Sequence, residues 1–118
     1  MAKVVGKSVG QIEITKGDRL RSFAATLRDA ETKAAINLTG DSVTFRMVEL
    51  ADASVVVVDS AAATLDVAAS GQVSYPPAAN DVDAAGTFAA WWIRTSGGKT
   101  EHFPSGGDYI TVVIADSY

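Results

Sequence analysis

Apolar side chains recur at every second residue in short runs along most of this sequence. The clearest run is residues 43–48, where Val43, Phe45 and Met47 alternate with Thr44 and Arg46. The runs are separated by Gly, Asp, Asn, Pro and Ser, which favour turns. Because a side-chain period of two is that of a β-strand, the sequence predicts an all-β fold.

About nine short strands, with turns every eight to twelve residues, indicate a two-sheet antiparallel sandwich with Greek-key connections. The predicted extended segments are residues 11–15, 23–28, 35–38, 43–48, 54–58, 61–69, 71–75, 86–95, 99–103 and 109–114. One helical or 3-10 turn is expected within residues 80–85.

Two of these segments admit a second interpretation. Residues 61–69 are rich in alanine, the best helix former, but they have neither a helix cap nor an apolar stripe, so a strand is predicted. Residues 54–58 form a continuous β-branched run. That run fits either a strand buried on both faces or an edge strand that something else covers.

The dipeptide Gly97-Gly98 predicts a tight hairpin, since primed two-residue turns need positive φ at both positions. A two-residue loop there fixes the pairing of the flanking strands. It places Trp92 opposite Phe103, Ile93 opposite His102, and Arg94 opposite Glu101.

Composition limits the possible classes of function. The chain has 118 residues, 47% of them hydrophobic, a formal charge of −4 and no cysteine. We expect one domain over residues 11–118 preceded by an amino-terminal arm over 1–10, with no disulfide and no thiolate metal site. The acidic balance and the lack of a Lys/Arg cluster argue against nucleic-acid and membrane partners. No signal peptide is recognisable, so synthesis in the cytoplasm is expected.

Few residues suggest chemistry. His102 is the only histidine and falls on the predicted hairpin, and Asn80, Asp81 and Asp83 lack the spacing of a calcium loop. The glycine pairs do not stand between a strand and a helix as a phosphate-binding loop requires. We therefore predict no catalytic residue, no cofactor and no metal.

A local motif resembles the opening of strand F in immunoglobulin-like domains. In residues 83–90 (DAAGTFAA), Phe88 stands at the position of the corner tyrosine and Ala90 at that of the cysteine. The sequence departs from the pattern because Asp83 is one residue too far from Phe88, phenylalanine has no hydroxyl, and no disulfide can form. Packing alone must then hold the two sheets together.

A wider set of segments, in order, resembles the immunoglobulin-like module of tailed-phage structural proteins, such as the N-terminal domain of baseplate upper proteins. The segments are residues 37–40 (NLTG), 43–47 (VTFRM), 68–75 (AASGQVSY), 83–92, 101–104 (EHFP) and 109–112 (YITV). The resemblance implies a non-enzymatic virion component, such as a decoration, tail, baseplate or connector subunit. Its partners would be other virion proteins, and copies of itself could be among them.

Alternation also predicts a contact surface. If Phe88, Ala90 and Trp92 face the core, the residues between them face outward, as do alternate residues of the last strand. The resulting interface candidates, expected to lie next to one another, are Ala89, Trp91, Ile93, Thr111 and Val113. Apolar patches of this kind mark partner surfaces. The alternatives are a reversed phase, a covering loop, or a sugar-binding platform of Trp91 and Tyr109.

Overall fold

The computed structural model describes residues 6–18, 22–29, 31–78, 81–104 and 108–116. These residues contain nine strands and one short 3-10 turn, Ala68–Ser70. The strands are β1 (Ser8–Thr15), β2 (Phe23–Thr26), β3 (Ser42–Glu49), β4 (Val56–Ala62), β5 (Thr64–Val67), β6 (Gln72–Tyr75), β7 (Gly86–Ser96), β8 (Lys99–Phe103) and β9 (Tyr109–Ala115). No helix among these residues is long and apolar enough to cross a bilayer.

The strands form two sheets. The six-stranded sheet has the order β1-β9-β7-β3-β4, with β8 also paired to β7, and the three-stranded sheet has the order β2-β6-β5. Strands β2, β6 and β5 take the places of B, E and D in an immunoglobulin sandwich, and β3, β7 and β9 take those of C, F and G. The predicted all-β sandwich is thus confirmed, and its pairings include one parallel pair, β1 with β9.

Four aromatic rings join the sheets. Phe23 and Tyr75 come from the three-stranded sheet, and Phe45 and Trp92 from the six-stranded sheet. The Phe45 ring lies in the middle, with centroids 4.8 Å from Trp92, 5.1 Å from Tyr75 and 5.3 Å from Phe23. Such pairs contribute about 0.5–1.5 kcal/mol each beyond the area they bury. This cluster holds the sheets together in a chain that has no cysteine.

The first strand begins earlier than the sequence predicts. Strand β1 starts at Ser8 rather than residue 11, so the predicted arm 1–10 ends inside the sheet, and residues 1–5 lie outside the described part. The amide of Tyr109 donates to the Lys7 carbonyl at 3.1 Å, which extends the contact with β9 beyond β1.

The alternative interpretations of residues 54–69 are resolved. Strand β4 is an edge strand of the larger sheet: Val58 is buried, whereas Val56 is 39% exposed. The option of a strand buried on both faces is therefore wrong. The other option is correct about the edge but wrong about the cover, since Val55 and Val56 are both exposed. Residues 61–69 contain no long helix, as predicted. They finish β4, cross to the other sheet as β5 and enter the 3-10 turn.

The hairpin register is confirmed pair by pair, including Ile93 with His102. Gly97 and Gly98 have φ of 57° and 80°, as a primed turn requires. Residues 35–38 form no strand but only a single bridge between Arg28 and Ala35. The helical turn predicted for residues 80–85 begins at Asn80, which is outside the described residues.

Candidate docking face

Strand β7 places its two tryptophans on opposite faces. Phe88, Ala90 and Trp92 point between the sheets, and Trp92 is only 1% exposed. Trp91 is half-buried on the other face. The inward phase predicted for Trp92 is therefore correct, and the alternative of a reversed phase is excluded.

The register of the neighbouring strands shows what surrounds Trp91. On β3, Arg46 lies opposite Trp91. On β9, the register continued by one residue places Tyr109 beside Trp91. Ile93 lies between Thr44 of β3 and His102 of β8. We call this outward side of the six-stranded sheet the outer face.

Trp91 is held in place by its own chain. Its indole Nε1 donates a hydrogen bond of 2.7 Å to the carbonyl oxygen of Asp108, just before β9 begins. One edge of the indole ring is thereby held against the start of β9. The residue keeps part of its surface accessible. Binding of a partner to Trp91 would therefore cost little side-chain entropy, because the Trp91 ring is already ordered.

Two of the predicted interface residues need correction. Ala89 has no exposed surface, because this small side chain lies between Val48 and Thr111 on the adjacent strands. Val113 pairs with Thr87, since β9 runs along the first half of β7. Thr87 and Ile93 are six residues apart on β7, which corresponds to about 20 Å along the strand. Val113 is thus not next to Trp91 or Ile93.

The remaining candidates form a smaller surface. Thr111 pairs with Ala89, one outward position from Trp91, and Ile93 is one outward position further on. Trp91, Ile93 and Thr111 are all half-buried. We call these three residues the docking face. It is an aromatic and aliphatic surface, and the Thr111 hydroxyl at one end of it donates a hydrogen bond to the Ser8 hydroxyl.

The charges near the docking face are neutralised within the chain. Arg46 forms an ion pair of 2.9 Å with Asp59 of β4. At the end of the sandwich, Arg94 lies 2.8 Å from Asp41 and 3.4 Å from Glu101. Hydrogen bonds from the Ser96 hydroxyl and the Arg94 guanidinium hold the pKa of the Asp41 carboxyl below its ordinary value. Both arginines near the docking face are therefore paired with carboxylates of the chain itself.

The titratable residues considered from sequence do not converge on a reactive site. His102 is exposed on β8, and Asp83 is exposed at a bend. Asp81 is buried, and its Oδ2 accepts hydrogen bonds from the Tyr75 hydroxyl at 2.5 Å and the Ala78 amide at 2.8 Å. Within the described residues, no three His, Asp or Glu side chains are grouped so that they could hold a metal.

Sequence reasoning missed the contact between Tyr75 and Asp81. Burial and the hydrogen bond to Asp81 raise the pKa of the Tyr75 hydroxyl to about 12. The immunoglobulin-like motif predicted a corner at Asp83 and Phe88. In the structure, the polar contact is made by Asp81, two residues earlier, and its partner is Tyr75 of β6. The available indication in the sequence was the position of Asp81 shortly after the Pro76-Pro77 pair. That position does not show which residue hydrogen-bonds to the Asp81 carboxylate.

Comparisons with known proteins add no family. No protein-family model matches this chain, and no curated protein is significantly similar to it.

Proposed function

We propose that this chain is a non-enzymatic structural subunit of a tailed-phage virion, where it joins other virion proteins through the docking face. The observation that carries the proposal is Trp91, a half-buried aromatic side chain fixed by Asp108 on the outward side of a central strand. A free-standing sandwich would normally have polar residues there.

The fold supports this proposal. The immunoglobulin-like order of the strands is what the resemblance to phage structural modules implies. Five of the six segments that carry the resemblance overlap strands, namely β3, β6, β7, β8 and β9, and four of these strands belong to the larger sheet. The sixth, residues 37–40, lies between strands. Attachment by surface burial needs no titratable group at the contact. The buried carboxylate of Asp81 has a structural role instead, because it accepts hydrogen bonds from Tyr75 and Ala78.

The energy available is modest for each copy. At about 25 cal/mol per Å², covering the accessible part of the half-buried Trp91 would contribute at most about 2 kcal/mol. Ile93 would add less than that.

A variant test uses phage particles released from cells that encode the chain. We expect the chain to co-sediment with these particles, and the double substitution Trp91→Ala with Ile93→Ala to abolish its incorporation while the purified variant stays folded. The matched control is Gln72→Ala with Ser74→Ala on the outward side of the three-stranded sheet. Incorporation unaffected by the first pair, or lost with the second, would refute the proposed surface.

The alternative function is a carbohydrate or host-surface binding module, favoured by one observation. Tyr109 lies beside Trp91, and adjacent aromatic side chains can stack on sugar rings. In that case the monomeric protein would bind defined oligosaccharides on a glycan array and lose this binding with Trp91→Ala. Assembly into particles without any glycan binding would favour the structural role instead.

A further inference from the structure

A groove runs along the side of the sandwich between β1 and β2, the edge strands of the two sheets. Two adjoining cavities of about 360 and 560 Å³ form it, and they share Gln11, Ile12 and Ala24 as lining residues. Together they follow residues 22–28, which include all of β2. We call this the β1–β2 groove.

Strand β2 presents unpaired backbone groups to the groove. The amide of Leu27 donates to the Gly71 carbonyl, so alternate residues of β2 face β6 in an antiparallel ladder. The N–H and C=O groups of Ala24 and Thr26 therefore point to the other side. Both residues are exposed, and no described residue accepts a hydrogen bond from either amide.

The other edges of the described sheets carry features that discourage strand addition. Strand β4 has two register shifts within its pairing to β3, and β5 has one in its pairing to β6. Strand β8 carries Lys99 and Glu101, and β1 carries Glu13. Bulges and charges are the usual protections of edge strands. Strand β2, with the sequence FAAT, has neither a charge nor a register shift.

One lining residue of the groove has an unmet hydrogen-bond donor. This residue is Trp92, which lines the floor together with Phe103 and Ile110. The indole Nε1 of Trp92 is buried and has no partner among the described residues, whereas that of Trp91 is bonded to Asp108. An indole nitrogen can only donate, so its partner must be an acceptor such as a backbone carbonyl.

Among the described residues, the two ends of the groove differ in charge. Arg28 lies at the end where β2 finishes, and Glu13 and Asp18 lie at the end where β2 starts. A strand antiparallel to β2 would begin beside Arg28 and end beside Asp18. Charge complementarity then favours an acidic residue at the start of that strand and a basic residue at its end.

We propose that the β1–β2 groove binds an extended segment of a partner protein, which adds to β2 as an antiparallel strand with small apolar residues facing the floor. Its backbone pairs with Ala24 and Thr26, and one of its carbonyl groups accepts the hydrogen bond of Trp92. This is recognition by strand addition, in which the backbone supplies affinity and the alternate side chains supply specificity. The site is separate from the docking face and does not depend on the proposed virion role.

The test titrates the full ¹⁵N-labelled chain with the blocked peptide Asp-Thr-Val-Ala-Val-Thr-Lys and follows the two indole N–H signals by NMR. We expect the Trp92 signal to shift, because its indole N–H gains an acceptor. The Trp91 signal is the internal control and should stay in place. The peptide with exchanged ends, Lys-Thr-Val-Ala-Val-Thr-Asp, should bind more weakly.

A pair of variants isolates the backbone contact. Ala24→Pro removes an amide that points away from β6, so β2 can still pair, and proline is tolerated in that position of an edge strand. We expect its affinity for the peptide to fall about tenfold, the equivalent of one hydrogen bond. Ala24→Ser keeps the amide and should bind like the natural chain.

Several results would overturn the proposal. One is a Trp92 signal that does not move with either peptide, and another is equal binding of both peptides. A Trp92 signal that shifts with protein concentration alone would assign the groove to a second copy. Equal affinities of Ala24→Pro and Ala24→Ser would exclude strand addition.

Discussion

The hydrogen bond between the Tyr75 hydroxyl and the Asp81 carboxylate ties β6 to the segment that leads into β7. Asp81 also accepts the amide of Ala78, so the carboxylate closes the turn after Pro77. A buried carboxylate is tolerated only when its oxygens are hydrogen-bonded. The pair therefore has a structural role, and it gives the protein a defined response to alkaline pH.

The substitution Tyr75→Phe tests this response. The pKa of Tyr75 is about 12 in the folded chain and 10.0 in the reference state, so the unfolded chain loses this proton first. The stabilisation is complete below pH 10 and is lost as the pH rises toward 12. Urea unfolding at several pH values should show a steep fall in stability for the natural chain and a shallower one for Tyr75→Phe. Tyr109→Phe should keep the steep fall, because Tyr75 is still present. Equal slopes for all three proteins would contradict the assignment.

The two tryptophans should differ strongly in their effect on stability. Trp92→Ala leaves a cavity beside Phe45 and should lower the free energy of unfolding by about 3–5 kcal/mol. Trp91→Ala removes one hydrogen bond and a half-buried ring, so a loss of about 1–2 kcal/mol is expected. Denaturant melts of both variants measure the difference. A larger loss for Trp91→Ala would mean that the faces are assigned wrongly.

At this scale, alternation predicts the direction of a side chain but not its surroundings. It correctly places Trp92 inward. Alternation does not reveal that the backbone carbonyl of Asp108 accepts a hydrogen bond from the Trp91 indole, since the two residues lie on different parts of the chain. It also fails for Ala89, whose burial depends on the sizes of Val48 and Thr111 on two other strands.

Among the elements, the entry into β6 is the most tightly constrained turn. Gly71 has φ of 70°, and a Cβ there would lie 2.7 Å from the Leu27 carbonyl oxygen and 2.9 Å from that of Ile36. Both oxygens belong to the backbone and cannot rotate away. The turn therefore requires glycine for its conformation and for the close approach of three segments.

Gly71→Ala should be far more destabilising than Gly17→Ala. Both positions have positive φ, which costs an L-residue about 1–2 kcal/mol, but nothing lies within 4 Å of a Cβ at Gly17. At Gly71 the overlap should add about 1–3 kcal/mol. Thermal unfolding of the two variants gives the comparison. Similar melting temperatures would show that the segment around Leu27 and Ile36 can move aside.

Elements set by local residues were predictable, and those set by distant pairing were not. The hairpin register follows from Gly97-Gly98 alone, and the structure reproduces it. The early start of β1 depends on its parallel pairing with β9, about a hundred residues away, which no local pattern encodes. Val113 was wrongly predicted to lie beside Trp91 for the same reason. The register between β9 and β7 is set by the pairing of distant strands and not by local residues.

For the whole molecule, the sandwich leaves two surfaces with different physical characters. The docking face offers Trp91, Ile93 and Thr111 on a continuous sheet, where association buries side chains. The β1–β2 groove offers free backbone groups and an unmet indole donor, where association forms a strand. A subunit with two such surfaces could contact two neighbours at once. The sequence predicted the first surface through alternation. The groove needs the relative placement of two sheets, which alternation does not specify.

The most direct test of the proposed role is the oxidation rate of each tryptophan in the free chain and in purified phage particles, measured by hydroxyl-radical labelling and mass spectrometry. We expect Trp91 to be oxidised measurably in the free chain and to become protected in particles, whereas Trp92 should be protected in both states. Oxidation of Trp91 at the same rate in both states would contradict the proposed role.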